Sequence, residues 1–218
     1  MTDSADLQEL RREQALAQLF DNAGSLEAYA KGYVNRMSEV LNALDIDAVV
    51  KATEIIEACA EKNQTFFIMG NGGSGAVGGH WVNDLSANTV VEGKPGFRVM
   101  SLTDNAFSIT AIANDASYEE IFSIQLKANM RPGDVVMGLS VSGGSPNIVK
   151  GIEYANENGA YTIGCSGFNG GRLKELSHLS IHMPSSKDEY GPVEDMFSVI
   201  MHIVQSYIAM NRGRYLCH

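Results

Sequence analysis

Two glycine- and serine-rich segments of the sequence have the composition of an anion-binding site. The first reads Gly-Asn-Gly-Gly-Ser-Gly over residues 70–75, and the second reads Ser-Val-Ser-Gly-Gly-Ser-Pro-Asn over residues 140–147. Glycines let the backbone approach a ligand closely, serine hydroxyls donate hydrogen bonds, and a following helix presents free N–H groups to an anion. A single glycine-rich segment often serves only to turn the chain, but two of them favour a phosphate site.

The first segment also matches a dinucleotide-binding pattern, which is a competing interpretation. Gly70, Gly72 and Gly75 satisfy the spacing G-x-G-x-x-G. That pattern needs an acidic residue at the end of the next strand, about 20 residues further on, to bind the ribose. The next predicted strand ends at Leu102, and the acidic residue that follows it is Asp104, so the spacing disfavours a nicotinamide cofactor.

Four side chains that could transfer protons or bind a metal lie on two predicted helices. His80 and Asp84 are four residues apart, which places them on one face of the helix after the first segment. Glu194 and His202 are eight residues apart on the last predicted helix, about 80° apart around its axis, so both can border one cleft. An isolated pair of this kind is often only a solvated surface, so its meaning depends on the elements that position it.

Apolar runs that alternate with helical stretches predict the sheet on which these residues are placed. Short, continuous apolar runs are typical of buried parallel strands. Their alternation with helices predicts an α/β fold with a doubly wound five-stranded parallel sheet, in which ligands bind beyond the carboxyl ends of the strands. Both glycine-serine segments follow such ends. The predicted strands are 65–69, 97–102, 134–139, 161–165 and 179–183, and the predicted helices among and after them are 76–87, 108–113, 118–128, 146–158, 171–176 and 193–210.

The chain before the first strand is predicted to be helical throughout, with Ser25 at the start of its second helix. This is more helix than one face of the sheet requires. Part of its surface either packs within the subunit or, as we favour, makes an oligomer contact. We therefore divide the chain into a helical segment, residues 1–63, and a main domain, residues 64–218. Apolar residues recur at spacings near three and four in 5–20, 25–45 and 46–62.

The composition of the 218-residue chain excludes several classes of protein. Hydrophobic residues make up 44% and charged residues 19%, the balance of a globular domain rather than a disordered segment. With 26 acidic and 16 basic residues the formal charge is -10, so no nucleic-acid partner is expected and an anionic ligand must be bound by local geometry. Three cysteines without a CxxC pair, no signal-peptide pattern and no long apolar stretch predict a cytoplasmic protein without a membrane partner.

These motifs together resemble the sugar-isomerase (SIS) domain and, within that family, the phosphoheptose isomerases. The resemblance implies an aldose–ketose isomerase, acting on sedoheptulose 7-phosphate to form D-glycero-D-manno-heptose 7-phosphate through an enediolate, in the supply of heptose for lipopolysaccharide. It also implies a homotetramer with active sites at the subunit interfaces. It covers residues 30–210 and rests on Met-Gly-Asn-Gly-Gly-Ser at 69–74, His80 with Asp84, Ser-x-Ser-Gly-x-Ser at 140–145, and Gly-x-x-Gly-Gly at 167–171.

The resemblance also implies roles for individual residues. Asp84 stands where the family has its catalytic Glu base, and His202 where it has its acid. His80 and Glu194 match positions that bind zinc together with these two, one ion per subunit, and zinc would polarise the sugar carbonyl. The residues implied to bind the phosphosugar are Asn71, Gly72, Gly73, Ser74, Asp104, Ser140, Ser142 and Ser145.

The sequence departs from the family pattern at several of these positions. Asp84 is one methylene shorter than the family Glu, Glu194 replaces a Gln, and a nearby Arg is replaced by Asn88. The paired changes at 84 and 194 favour a metal-bound site, because a metal would stabilise the added negative charge. Two alternatives remain open: a non-catalytic binding module of the type that associates with a replication initiator, and an isomerase of a different phosphosugar.

Overall fold

The computed structural model of the protein describes residues 14–215. Its centre is a parallel sheet that confirms the predicted fold class. The strands are β1 (Thr65–Gly70), β2 (Arg98–Ser101), β3 (Val135–Ser140), β4 (Tyr161–Ser166) and β5 (Leu179–His182). They lie in the order β2-β1-β3-β4-β5, and every neighbouring pair is parallel.

Helices cover both faces of this sheet. None of the helices within residues 14–215 has both the length and the apolar character needed to cross a lipid bilayer. A short 3-10 helix, Tyr118–Glu120, interrupts the chain between the second and third strands. The α-helices of the described residues are α1 (Ala15–Ala23), α2 (Leu26–Asn42), α3 (Ile46–Glu61), α4 (Gly72–Asn88), α5 (Ala106–Asp115), α6 (Ser123–Asn129), α7 (Pro146–Glu157), α8 (Gly171–Leu176) and α9 (Tyr190–Asn211).

The core consists of two apolar layers, one on each face of the sheet. Successive side chains of a strand point to opposite faces, and in β1 both sets are apolar. Phe66 and Ile68 therefore pack with residues of α3, α4 and α9, whereas Phe67 and Met69 pack with residues of α6 and α7. All six residues of β1 are buried, which explains why its sequence is continuously apolar rather than alternating.

The strand order places a crevice between the ends of β1 and β3. The chain leaves β1 through α4 toward β2 on one side, and leaves β3 through α7 toward β4 on the other. Two connections that diverge in this way leave an opening beyond the carboxyl ends of the two strands, the usual ligand site of an open α/β sheet. Gly70 pairs with Leu139 in the register of these strands, so the two glycine-serine segments begin side by side.

The helices of the N-terminal segment contribute directly to the core. Val40 of α2 and Val49 and Ile56 of α3 belong to the same buried layer as the strand residues. The Ser25 hydroxyl accepts a hydrogen bond from the Ala28 N–H at 3.2 Å, so the predicted helix start there is confirmed. Of the predicted helix over 5–20, residues 5–13 lie outside the described residues. The remainder forms α1, which continues to Ala23.

Several boundaries differ from those expected from the sequence. The helix after β1 begins at Gly72 instead of residue 76, so most of the first glycine-serine segment is the first turn of α4 rather than a loop. The single helix predicted over 118–128 is divided into the 3-10 turn and α6. The Ser123 hydroxyl donates to the Glu120 carbonyl oxygen at 3.2 Å, a local bond that competes with continuous helix.

Candidate active site

The four predicted acid–base and metal residues lie on α4 and α9, which pack against each other. His80 follows Ser74 by six residues, about 9 Å along the axis of α4. His202 follows Glu194 by eight residues, about 12 Å along the axis of α9. The seam between the two helices therefore has two functional regions, one at the N-terminal ends of both helices and one further along them.

Three of the four residues form a cluster, which we call the His–Asp–His cluster. The Oδ2 atom of Asp84 lies 3.4 Å from Nε2 of His80 and 3.9 Å from Nε2 of His202. The two imidazole rings are nearly perpendicular, with their centres 5.1 Å apart. Asp84 is buried, whereas both histidines are about half exposed. A buried carboxylate thus faces two accessible imidazoles, an arrangement that can exchange protons with a bound molecule.

Two neighbouring amides hold the other oxygen of the Asp84 carboxylate. Asn83 donates its side-chain N–H to Oδ1 at 3.0 Å, and Asn88 donates to the same atom at 3.4 Å. With Oδ1 occupied in this way, Oδ2 is directed toward the histidines. From the sequence, Asn88 is notable only as the replacement of an arginine and Asn83 is not predicted to have a role, although both lie within four residues of Asp84.

The His–Asp–His cluster fits a tetrahedral metal ion. Two imidazole nitrogens and a carboxylate oxygen, one from each residue, lie within 4.8 Å of one another. With zinc–ligand bonds of about 2.0–2.1 Å, neighbouring ligand atoms of a tetrahedron are about 3.4 Å apart. The separations of 3.4 Å and 3.9 Å from the Asp84 oxygen are close to this value. Three protein ligands would leave a fourth position for water or substrate.

Glu194, the fourth predicted metal ligand, is not in that cluster. Its Oε1 atom accepts a hydrogen bond from the Ser74 hydroxyl at 3.3 Å, and its carboxylate lies against Gly73 so closely that a Cβ there would overlap it. Gly73 and Ser74 belong to the first turn of α4, so the carboxylate lies at the N-terminal end of that helix.

The hydroxyl groups of both glycine-serine segments face one small cavity, which we call the serine cavity. Its volume is about 130 Å³. The hydroxyls of Ser140 and Ser145 are 3.1 Å apart, and Ser142 accepts a hydrogen bond from the Gly144 N–H at 3.2 Å. The residues that line the cavity are Asn71, Ser74, Leu139, Ser140, Val141, Ser142, Ser145, Tyr190 and Glu194.

A pair of side-chain amides joins the two segments. Asn71 donates to Oδ1 of Asn147 at 3.0 Å, and Asn147 donates back to Oδ1 of Asn71 at 2.8 Å. Tyr118 adds a third hydrogen bond, to Asn71, at 3.1 Å. Asn147 is 1% exposed, so its side of the pair is shielded from water, whereas Asn71 is partly exposed. No sequence motif marks the role of Asn147, since its partner lies 76 residues away.

Glycine is required where the second segment meets the loop after β4. Gly143 has a φ of +63°, and a Cβ there would overlap the carbonyl oxygen of Gly170. The Gly143 carbonyl in turn accepts a hydrogen bond from the Leu173 N–H at 2.8 Å. The motif at 167–171 therefore supports the serine cavity through backbone contact.

Two further features border the site. Asp104, a predicted substrate ligand after β2, is exposed and its carboxylate lies against Gly79, one residue before His80. A larger, open cavity of about 530 Å³ shares Ser142 and Tyr190 with the serine cavity and includes Lys187. A wider space with a cationic side chain in its wall therefore lies beside the serine cavity.

Comparison with known proteins identifies the family of this chain. The family model described as "SIS domain" matches residues 28–167, more than half of the sequence. This chain belongs to the SIS-domain family. Its sequence relatives include two proteins named phosphoheptose isomerase. The protein from Rhodospirillum rubrum is 35% identical over 157 residues, covering 72% of this chain and 82% of the relative. That from Geotalea daltonii is 34% identical over 177 residues, covering 80% and 91%.

Solved structures with the same SIS fold include two described as phosphoheptose isomerases. The structure from Neisseria gonorrhoeae has a TM-score of 0.76 and 22% identity, covering 85% of this chain and all of its own. The structure from Francisella tularensis has a TM-score of 0.75 and 25% identity, covering 85% and 96%. The resemblance inferred from the motifs is therefore confirmed.

Proposed function

We propose that this SIS-domain protein is an aldose–ketose isomerase of the phosphoheptose isomerase type, which converts sedoheptulose 7-phosphate into D-glycero-D-manno-heptose 7-phosphate. The observation that carries the proposal is the position of the His–Asp–His cluster on the same helix seam as the serine cavity. The names of the chain's relatives supply the substrate. A non-catalytic module has no need of this cluster.

The length of the seam suits a long phosphosugar. The serine cavity lies at the first turn of α4, and His80 lies about 9 Å further along that helix. An extended seven-carbon sugar with its phosphate in the serine cavity would reach the cluster with its carbonyl end. Hydroxyls of Ser74, Ser140, Ser142 and Ser145, with backbone N–H groups around Gly72 and Gly73, would hold the phosphate, and Asp104 would bind a sugar hydroxyl.

The proton transfers are assigned to residues of the cluster. Oδ2 of Asp84 would remove the C1 proton of the ketose, and His202 would donate a proton to the carbonyl oxygen as the enediol forms. The protonated Asp84 would then give a proton to C2 while His202 takes the hydroxyl proton from O1, which leaves the aldehyde at C1 and restores both groups. The fit of the donor atoms supports one zinc ion per subunit, held by His80, Asp84 and His202. When bound, zinc supplies a Lewis acid that polarises a carbonyl.

The expected setting of the enzyme belongs to the same proposal. We assign it to the cytoplasm, in the supply of heptose for lipopolysaccharide, with a phosphosugar as its small-molecule partner. The homotetramer implied by the family resemblance is also part of this assignment, as is the division into a helical segment, 1–63, and a main domain, 64–218.

Proton NMR of sedoheptulose 7-phosphate in D₂O tests the proposal. We expect the aldose signals to appear and deuterium to enter at C1 or C2, because a base that exchanges with solvent removes the proton. The reaction should be faster with added zinc than with EDTA. Absence of exchange in both samples would exclude this substrate, and exchange with another phosphosugar alone would redirect the assignment to that sugar.

A further inference from the structure

The serine cavity has an unusual charge for a phosphate site. Among the described residues that line it, Glu194 is the only one with an ionisable carboxylate, and none is a lysine, arginine or histidine. A phosphate in this cavity would meet hydroxyls, amides and one negative charge. Two anions within a few ångströms of each other repel strongly where solvent screening is reduced. The Glu194 carboxylate would therefore weaken phosphate binding if it stayed in the cavity.

Glu194 occupies the position that an anion would prefer. Its carboxylate accepts the hydrogen bond from the Ser74 hydroxyl at 3.3 Å and lies against Gly73 in the first turn of α4. The N–H groups of a first helical turn lack helical partners and attract negative charge. The N-cap residue, Asn71, does not serve them with its side chain, which is paired with Asn147 instead.

We infer that the Glu194 carboxylate holds the place of the substrate phosphate in the unliganded protein and leaves Ser74 when phosphate binds. The inference rests on the proposed function, since it takes the serine cavity as the phosphate site. Two anions compete for one set of donors, so the carboxylate lowers the affinity for phosphate. Glu194 therefore sets how tightly the serine cavity binds the phosphate of the substrate.

A different role for Glu194 predicts different behaviour. If its carboxylate is a permanent cap of α4, phosphate binds beside it and its removal destabilises the helix without tightening phosphate binding. If it is only a metal ligand, its removal lowers zinc affinity and leaves phosphate affinity in EDTA unchanged.

Calorimetric titration with inorganic phosphate, in EDTA and without sugar, separates these roles. We expect Glu194→Gln to bind phosphate about tenfold more tightly than wild type, because the repulsion between the two anions is removed. Asp195→Asn is the matched control. It removes the same charge from the next residue of α9, which is exposed and does not line the cavity, and should change the affinity less than twofold.

A second variant and two folding measurements distinguish a change in phosphate affinity from misfolding. Glu194→Ala should also bind phosphate more tightly, and both variants are first compared with wild type by circular dichroism and thermal unfolding. Phosphate affinities equal to or weaker than wild type in folded Glu194 variants, including no binding in any sample, would overturn the inference. If Asp195→Asn increased the phosphate affinity by the same factor, the inference would also be overturned, because the effect would then come from the net charge of the protein and not from the position of Glu194. A wild-type protein that fails to isomerise the sugar contradicts the proposed function instead, and leaves the phosphate titration to be judged separately.

Discussion

At the scale of single residues, the short side chain of Asp84 explains why two neighbouring amides can bind its carboxylate. An aspartate keeps its carboxylate close to the helix, where the amide of Asn88, one turn later, can reach it. The Asn83 amide reaches the same oxygen from the preceding residue. The two amides therefore help to orient the short side chain of Asp84 toward the two histidines.

Replacing Asp84 by Asn should remove the proposed base while keeping the shape of the side chain. We expect the rate of deuterium exchange into the sugar to fall by about 10²–10⁴-fold, the usual contribution of a general base. The measurement is the NMR exchange rate at saturating sugar. Asp115→Asn, at the exposed C-terminal end of α5, is the control and should retain the wild-type rate. A rate within threefold of wild type in Asp84→Asn would show that another group removes the proton.

Replacing Asn88 by Ala should loosen the orientation of the Asp84 carboxylate. One hydrogen bond is lost, so we expect kcat to fall about twofold to tenfold with little change in KM. Steady-state kinetics measure the two constants, and Asn88→Ser should recover part of the loss. Asn114→Ala, on the exposed side of α5, is the control. A selective rise in KM would instead place Asn88 in contact with the substrate.

At the scale of the elements, an ion pair fastens the start of α9 to α2. The guanidinium of Arg36 donates to both oxygens of Glu189, at 2.6 Å and 3.0 Å, and the Ser186 N–H donates to the same carboxylate at 2.7 Å. Glu189 is 0% exposed. Burial acts to raise the pKa of Glu189, but the hydrogen bonds from Arg36 and Ser186 and the charge of Arg36 outweigh it and lower the pKa. The helix that carries Glu194 and His202 is thus anchored at its N-cap residue.

Replacing Arg36 by Ala should destabilise the protein by about 3 kcal/mol at neutral pH, because it leaves a buried carboxylate without its partner. Urea unfolding measures the difference. Lys31→Ala removes the exposed pair with Glu27 and should cost less than about 0.5 kcal/mol. Equal effects of the two substitutions would show that the buried pair does not anchor α9.

Acid should weaken the same anchor. Because the folded-state pKa of Glu189 is lowered, the pair contributes its full stability above the unfolded-state pKa of about 4.5 and loses it as the pH falls through the folded-state value. The stability difference between wild type and Arg36→Ala should therefore shrink below that pH in urea unfolding. A difference that stays constant to low pH would contradict the lowered pKa.

At the scale of the whole molecule, the surface formed by α3 and α9 carries a group of exposed apolar side chains, although the chain as a whole has a formal charge of -10. A groove of about 280 Å³ lies between these helices. Its wall includes Ile46, Val50, Ile203 and Tyr207, each of which is 41–59% exposed. Exposed apolar groups collected in one place are typical of a contact surface, and we propose a second copy of this chain as its partner.

Val50→Glu should weaken the homotetramer, because it places a charge in this apolar groove. Light scattering coupled to size exclusion should give four times the 23.5 kDa of one chain for wild type and a smaller mass for the variant. Ile124→Glu, a control on α6 at the opposite face of the sheet, should keep the wild-type mass. A monomeric wild type, or equal dissociation of both variants, would contradict this assignment.

The fold class was predictable because its signals are local. The apolar runs of β1 and β3, the glycine-serine segments at their ends and the four-residue spacing of His80 and Asp84 each depend on neighbours in the sequence. The same holds for the Ser25 cap. The predicted start of α4 was less accurate. The helix begins within a run of glycines, and because glycine has a low helix propensity such a run predicts a loop.

The arrangement of the site was decided only by the tertiary structure. The sequence by itself determined that His80 and Asp84 share a helix face and that Glu194 and His202 can border one cleft. It did not determine how α9 lies along α4, and that packing brings His202 to Asp84 while it places Glu194 on Ser74, at the other end of the seam. Spacing defines angles around one helix axis, but the offset between two helices comes from burial of their side chains against a common sheet.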